Sequence, residues 1–186
     1  KLSLAKKLVS EAAKSGADFI KFQTFETESM VKPYTRLANY QKSNLKGNLS
    51  QFDMLKKYEL SREDHFNLKE FCDRKKIDFL STPYDVESAK LLNKLDVKMF
   101  KTASADIVDY QLHQYISSTF KPVIISTGMA TIEEIKSILK YYDQEKSSLI
   151  LLHCVSNYPC SIESVNLKSI SFLEKNFNLP VGYSDH

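Results

Sequence analysis

The stretch VGYSDH, residues 181–186, is a short apolar run that ends in a hydroxyl, a carboxylate and an imidazole. Five earlier runs have the same form: IKFQ (20–23), FLSTP (79–83), FKTAS (100–104), IISTGM (124–129) and LLHCVSNYP (151–159). A parallel strand covered on both faces reads as a continuous apolar run. In α/β proteins, ligand chemistry gathers where such strands end on their carboxyl side. Six strands that deliver lysine, hydroxyl or imidazole groups at the same end predict one site.

Between these runs the apolar period becomes helical. Leu2, Ala5, Leu8, Val9 and Ala12 follow a 3.6-residue repeat, which Gly16 ends, and a strand is expected over 17–23. Ser61 and Asp64 form a capping box ahead of Leu68, Phe71 and Cys72, with a strand over 77–81. Asp85 caps a short helix carrying Val86, Ala89 and Leu92, followed by a strand over 97–101. A helix over 107–117 precedes a strand over 122–126. Thr131 and Glu134 form a second capping box before Ile135, Ile138, Leu139 and Tyr142, with a strand over 148–153. Leu167, Ile170, Leu173 and Phe177 mark a last helix before a strand over 179–183.

Equivalent strand positions at 79, 100, 124, 151 and 181 lie 21, 24, 27 and 30 residues apart, which suits consecutive βα units. Residues 25–60 break the rhythm. They are rich in Tyr, Asn, Lys and Gln and read as an extended loop over the site.

Alternation alone fits a doubly wound sheet or a (β/α)8 barrel. Neither GxGxxG nor GxxxxGK[ST] occurs, and the chain has only four glycines. An open sheet concentrates its chemistry at one switch point, whereas a barrel points every strand end at one axis. The expected fold is therefore α/β, a (β/α)8 TIM barrel with six of its eight strands in residues 1–186. The chain starts without Met inside a helical pattern and stops directly after a strand, so it reads as part of a longer protein.

Composition narrows the function classes. A length of 186 residues with 42% hydrophobic content suits one domain with a real core. Net charge is +3, with lysines interspersed among acidic residues, which argues against nucleic acid or an anionic membrane as partner. No apolar run reaches the ~18 residues of a membrane span, and no signal-like segment is present. The three cysteines, Cys72, Cys154 and Cys160, lack CxxC spacing, so reduced thiols in a cytoplasmic protein are expected.

Lys21 and Lys101 each stand at a strand end, where an ammonium needs an anion. With Ser81, Thr82, Ser104, Ser126 and Thr127 they suggest a phosphate and carboxylate cradle. Backbone N–H groups following Ser126-Thr127-Gly128 add to it. Each lysine could instead pair with a local carboxylate such as Asp106, or form a Schiff base. His153 and His186 both end strands; His186 is preferred as a metal ligand, with Asp185 fixing its tautomer or ligating beside it. His153 reads as a hydrogen-bonded core residue, and His65 and His113 as surface residues of helices. Asp106 suits a general base or a cap for the next helix. Asn157-Tyr158-Pro159 suits either a polyhydroxy substrate or a turn. Cys154 and His153 are strand neighbours that face opposite sides, so thiol catalysis is not expected.

The motifs GADFIKFQTF, FLSTPYD, FKTASADI, PVIISTGMAT, LLHCVSNYP, VNLKSI and VGYSDH, in this order, resemble the N-acetylneuraminate (sialic acid) synthase family, which includes the legionaminate and pseudaminate synthases. The resemblance runs through essentially the whole chain. It implies a barrel enzyme that condenses phosphoenolpyruvate with N-acetylmannosamine or a related acetamido sugar, releasing phosphate, with a divalent metal, Mn2+ or Mg2+. By motif position, Lys21, Thr82, Lys101, Ser104, Ser126 and Ser184 match residues that hold phosphoenolpyruvate. Ser156 stands where some members have Asn. Gln23 and Tyr158 match sugar-site positions, and Asp106 replaces a Glu of several members. His186 matches one of two metal-binding histidines. The second histidine, the opening and closing strands and a C-terminal antifreeze-like domain, which closes the site across a homodimer, are expected outside residues 1–186. This segment alone is then expected to be inactive.

Two other readings compete. A synthase of the 3-deoxy-sugar-acid type, joining phosphoenolpyruvate to an aldose phosphate, needs a further basic site, whereas Gln23, Asn157 and Tyr158 are neutral. An inactive fragment would lack the second histidine.

Overall fold

Six strands, all paired in parallel, alternate with helices in the computed structural model, which describes residues 1–37 and 50–186. They fall into two units, Lys1–Asp96 and Val97–His186.

The first unit runs α1 (Leu2–Lys14), β1 (Phe19–Thr24), α2 (Thr27–Met30), α3 (Gln51–Tyr58), α4 (Arg62–Lys75), β2 (Asp78–Pro83) and α5 (Val86–Lys94). Gly16 turns the chain out of α1 at a φ of 77°, a left-handed conformation that costs glycine little. The capping box at Ser61 forms as expected: its side chain accepts from Asp64 N, and Asp64 returns the bond to Ser61 N. Asp85 caps α5 by accepting from Ser88 N at 2.6 Å. Val9, Leu68, Cys72, Ala89 and Leu92 are completely buried and form the core with Phe79.

The described part of the stretch expected as a loop over 25–60 holds two helices, α2 and α3. Ser50 supplies the signal for α3, a capping box with Asp53 that the composition of the segment obscures. Residues 38–49 of that expected loop lie outside the described residues.

The second unit orders its strands β3-β4-β5-β6: β3 (Phe100–Thr102), β4 (Val123–Ser126), β5 (Leu149–Cys154) and β6 (Val181–Ser184). Helices α6 (Tyr110–Ser118), α7 (Ile132–Leu139) and α8 (Lys168–Phe177) connect them, with 3-10 turns at Ser104–Val108 and Ile162–Ser164. The helix expected over 107–117 is thus split. A 3-10 turn takes its first part, and α6 starts afresh at Asp109, whose carboxylate accepts from Leu112 N at 3.0 Å.

Each sheet has two unlike faces, because neighbouring residues on a strand point to opposite sides. In the second unit Phe100, Thr102, Val123, Ile125, Leu149 and Leu151 are at most 4% exposed, packed under the helices. Lys101, Ile124, Ile150 and Leu152 on the other face are half-buried. The register sets Lys101 beside Ile124, Ser126 beside Leu152, and Cys154 beside Ser184. In the first unit it sets Lys21 beside Leu80 and Gln23 beside Thr82 on the face that carries the candidate residues.

Two histidines depart from expectation. His65 and His113, read as surface residues, are 1% and 0% exposed. His65 satisfies both ring nitrogens inside the protein, on Thr24 and Ser61, whereas His113 bonds Tyr142 through Nδ1 and its buried Nε2 has no hydrogen-bond partner among the described residues.

Candidate functional site

In the first unit the parallel register brings Lys21, Gln23 and Thr82 to one face of the β1–β2 pair. Gln23 donates from Nε2 to the Tyr84 hydroxyl at 2.7 Å. Thr82 is 2% exposed. Desolvation lowers the Lys21 ammonium pKa from its ordinary value, since protein around it replaces part of its hydration. Such a group gains from a bound anion that restores the lost favourable field. On the opposite face, Phe22 stacks on Phe79 with ring centres 5.6 Å apart.

In the second unit Lys101 donates from Nζ to Ser126 Oγ at 2.7 Å, across β3 and β4. Ser104 opens the 3-10 turn that follows β3, and its Oγ accepts the Gly128 N–H at 3.0 Å. Cys154 Sγ lies 3.2 Å from the same oxygen. A Cβ on Gly128 would lie 2.6 Å from the Cys154 carbonyl oxygen and 3.0 Å from Ser156 Oγ, so only glycine lets this turn pass so close to the end of β5. Lys101, Ser104, Ser126, Gly128, Cys154 and Ser156 thereby belong to one corner of the sheet.

Asp106 lies in the same 3-10 turn. Its Oδ2 is buried without a hydrogen-bond partner among the described residues. Burial raises its pKa to about 6, helped by the charge of Asp109 and opposed by the Ala103 backbone. The cap of α6 is supplied by Asp109, so the capping role open to Asp106 is taken by another residue. What remains is a carboxyl that exchanges its proton in the neutral range, a property of general bases.

His186 stacks on Tyr158, ring centres 4.2 Å apart at 24°. Its Nδ1 lies 2.6 Å from the Val155 carbonyl oxygen. A carbonyl only accepts, so Nδ1 carries the proton and Nε2 keeps its lone pair. Nε2 faces the hydroxyls of Tyr158, at 3.3 Å, and Ser184, at 3.4 Å. The tautomer is fixed by Val155 and not by Asp185, whose carboxylate accepts from the Tyr183 hydroxyl at 3.2 Å. His186 therefore fits one ligand position of a metal. No three His, Cys, Asp or Glu side chains gather as a metal site among the described residues, so the set is incomplete there.

His153 points the other way. Its Nε2 bonds the Val165 carbonyl at 2.7 Å and its ring lies 5.8 Å from that of Tyr183, which makes it the hydrogen-bonded core residue expected. The close approach of Gly128 to Cys154 and Ser156 is the site feature that the sequence reading of Ser126-Thr127-Gly128 misses. The signal in the sequence is the place of Gly128 in STG, directly after a strand.

Among the described residues no helix is long and apolar enough to cross a membrane. A family model described as the NeuB family matches residues 8–186. The chain is 44% identical to an N,N'-diacetyllegionaminic acid synthase of Legionella pneumophila, covering 100% of this chain and 53% of that protein. It is 36% identical to a pseudaminic acid synthase of Campylobacter jejuni, covering 100% of this chain and 54% of the relative. The chain thus spans about half the length of the curated relatives it matches. The crystal structure of an N-acetylneuraminic acid synthetase of Leptospira borgpetersenii, in complex with citrate, superposes with a TM-score of 0.85 at 34% identity, covering 100% of this chain and 60% of that one. The fold class is accordingly α/β, a partial TIM barrel, with six strands among the described residues. With the match running through 8–186 and its relatives named for sialic-type acid synthesis, the chain belongs to the NeuB family.

Proposed function

We propose that this chain carries the substrate face of a synthase that condenses phosphoenolpyruvate with N-acetylmannosamine or a related acetamido sugar. The products are a nonulosonic acid and inorganic phosphate. The observation that carries the proposal is the corner built by Lys101, Ser104 and Ser126, in a chain whose relatives include legionaminic and pseudaminic acid synthases.

Lys101 balances negative charge while Ser126, already accepting from the ammonium, keeps its own proton to donate to a phosphate or carboxylate oxygen. Ser104, Ser156 and Ser184 extend the donors on this unit. Lys21 and Thr82 supply a cation and a hydroxyl within the first unit, and Gln23 and Tyr158 are assigned to the sugar hydroxyls or acetamido group. C3 of phosphoenolpyruvate attacks the aldehyde carbon of the open-chain sugar, forming the new C–C bond. Water adds at C2, losing its proton to Asp106, and phosphate departs as the C2–O bond breaks. The lysines hold the anionic charge through both steps.

His186 would hold a divalent metal, Mn2+ or Mg2+, through Nε2. When bound, such an ion polarises an aldehyde oxygen as a Lewis acid. A cytoplasmic homodimer belongs to the same proposal.

Oxygen labelling tests the bond cleaved. In labelled water the sugar acid is expected to gain solvent oxygen and the released phosphate none. Label in the phosphate would sink the mechanism.

A further inference from the structure

Behind the ends of β1 and β2, on the face turned away from Lys21 and Gln23, a buried hydrogen-bond chain runs in one direction. The Ser61 carbonyl lies 2.8 Å from His65 Nδ1, so that nitrogen carries the proton. Nε2 is then an acceptor and takes the Thr24 hydroxyl proton at 2.9 Å. Thr24 Oγ1, having given its proton away, accepts from Ser81 Oγ at 2.7 Å. Thr24, His65 and Ser81 are 3%, 1% and 1% exposed, so water does not replace a lost partner.

Both hydroxyl residues adjoin candidate substrate residues. Thr24 follows Gln23, and Ser81 precedes Thr82. Thr24 is also bound through its backbone: its carbonyl accepts the Tyr84 N–H at 3.1 Å, while the Tyr84 hydroxyl accepts from Gln23. Gln23 is thus held from its own side chain and from the next residue. Burial holds the imidazole pKa below its usual range, against smaller opposite effects of the Ser61 carbonyl, Asp64 and the Gln23 backbone. A neutral ring is what the chain needs, because an imidazolium has no lone pair for Thr24.

We infer that His65 is a positioning residue which, through Thr24 and Ser81, fixes the strand ends from which Gln23 and Thr82 reach the substrates. The inference rests on the assignment of Gln23 and Thr82 to the substrate side.

Thr24→Val replaces the hydroxyl with a methyl of similar size, and Thr24→Ser keeps the hydroxyl. In the purified full-length protein, Thr24→Val is expected to raise KM for both substrates by roughly fivefold or more with kcat within about twofold. Thr24→Ser should restore both, and Ser81→Ala, which removes only the last donor, serves if Thr24→Val does not fold. A folded Thr24→Val protein with unchanged KM values overturns the inference. If the wild-type full-length protein condenses nothing, the proposed function fails. The brace is then judged by the side-chain amide NMR signals of Gln23, expected to move in Thr24→Val and return in Thr24→Ser; unmoved signals overturn it.

Discussion

Lys101 and Ser126 meet across neighbouring strands, the ammonium donating to the hydroxyl oxygen at 2.7 Å. The contact orients Ser126, because an oxygen that accepts from an ammonium directs its own proton elsewhere. Removing the hydroxyl takes away one hydrogen bond to an anionic ligand, about 1.5–3 kcal/mol for a charged partner. Ser126→Ala is therefore expected to raise KM for phosphoenolpyruvate roughly 10- to 150-fold in steady-state kinetics. Lys101→Met should cost more, since it also removes the balancing charge.

Asp106 titrates near 6 because of burial. In the proposed mechanism Asp106 is the base for water addition and must be ionised, so kcat is expected to fall as pH drops through about 6. Asp106→Asn should lower kcat by about 10²–10⁴-fold and abolish that limb of the pH–rate profile. A raised acid pKa in the folded state favours folding at low pH, and that advantage is lost as pH rises from 3.8 towards about 6. The same substitution should thus increase stability to denaturant at pH 7.

His113 titrates oppositely. Burial pushes its imidazole down to about 4 from 6.5, against the Asp106 backbone and Asp109. Its folded pKa is depressed, so its contribution is complete above pH 6.5 and is lost as pH falls towards about 4. The loss is on the order of 3 kcal/mol. Urea titrations across this range should show it. Tyr142→Phe removes the hydroxyl 2.8 Å from His113 Nδ1 and should cost about 1–3 kcal/mol, the penalty of a buried group left unpaired.

Gly128→Ala puts a Cβ 2.6 Å from a backbone oxygen that cannot swing aside. The turn must move, at about 1–3 kcal/mol by analogy with overpacked cores. Because Gly128 N also donates to Ser104, the shift should lower kcat/KM for phosphoenolpyruvate as well as the melting temperature.

Chelation followed by gel filtration is expected to stop turnover, and Mn2+ or Mg2+ to restore it. His186→Ala should demand more metal for half-maximal rate, because the proposed imidazole ligand is gone.

The apolar runs and their polar ends were enough to locate β1 to β6, and the capping boxes at Ser61 and Thr131 were legible because they are local hydrogen-bond patterns. The ordered motifs likewise identified the family. Only the tertiary structure decided the rest. His65 and His113 sit on helical patterns, and what buried them was a partner 41 residues away in Thr24 and 29 away in Tyr142, which no local pattern contains. Asp106 reads in sequence as a candidate cap for the next helix. Backbone conformation gave the cap to Asp109 and left Asp106 a buried carboxyl with a raised pKa. Sequence determines which residue types arrive at a strand end. Long-range packing determines which of them lose water, and with it their ordinary chemistry.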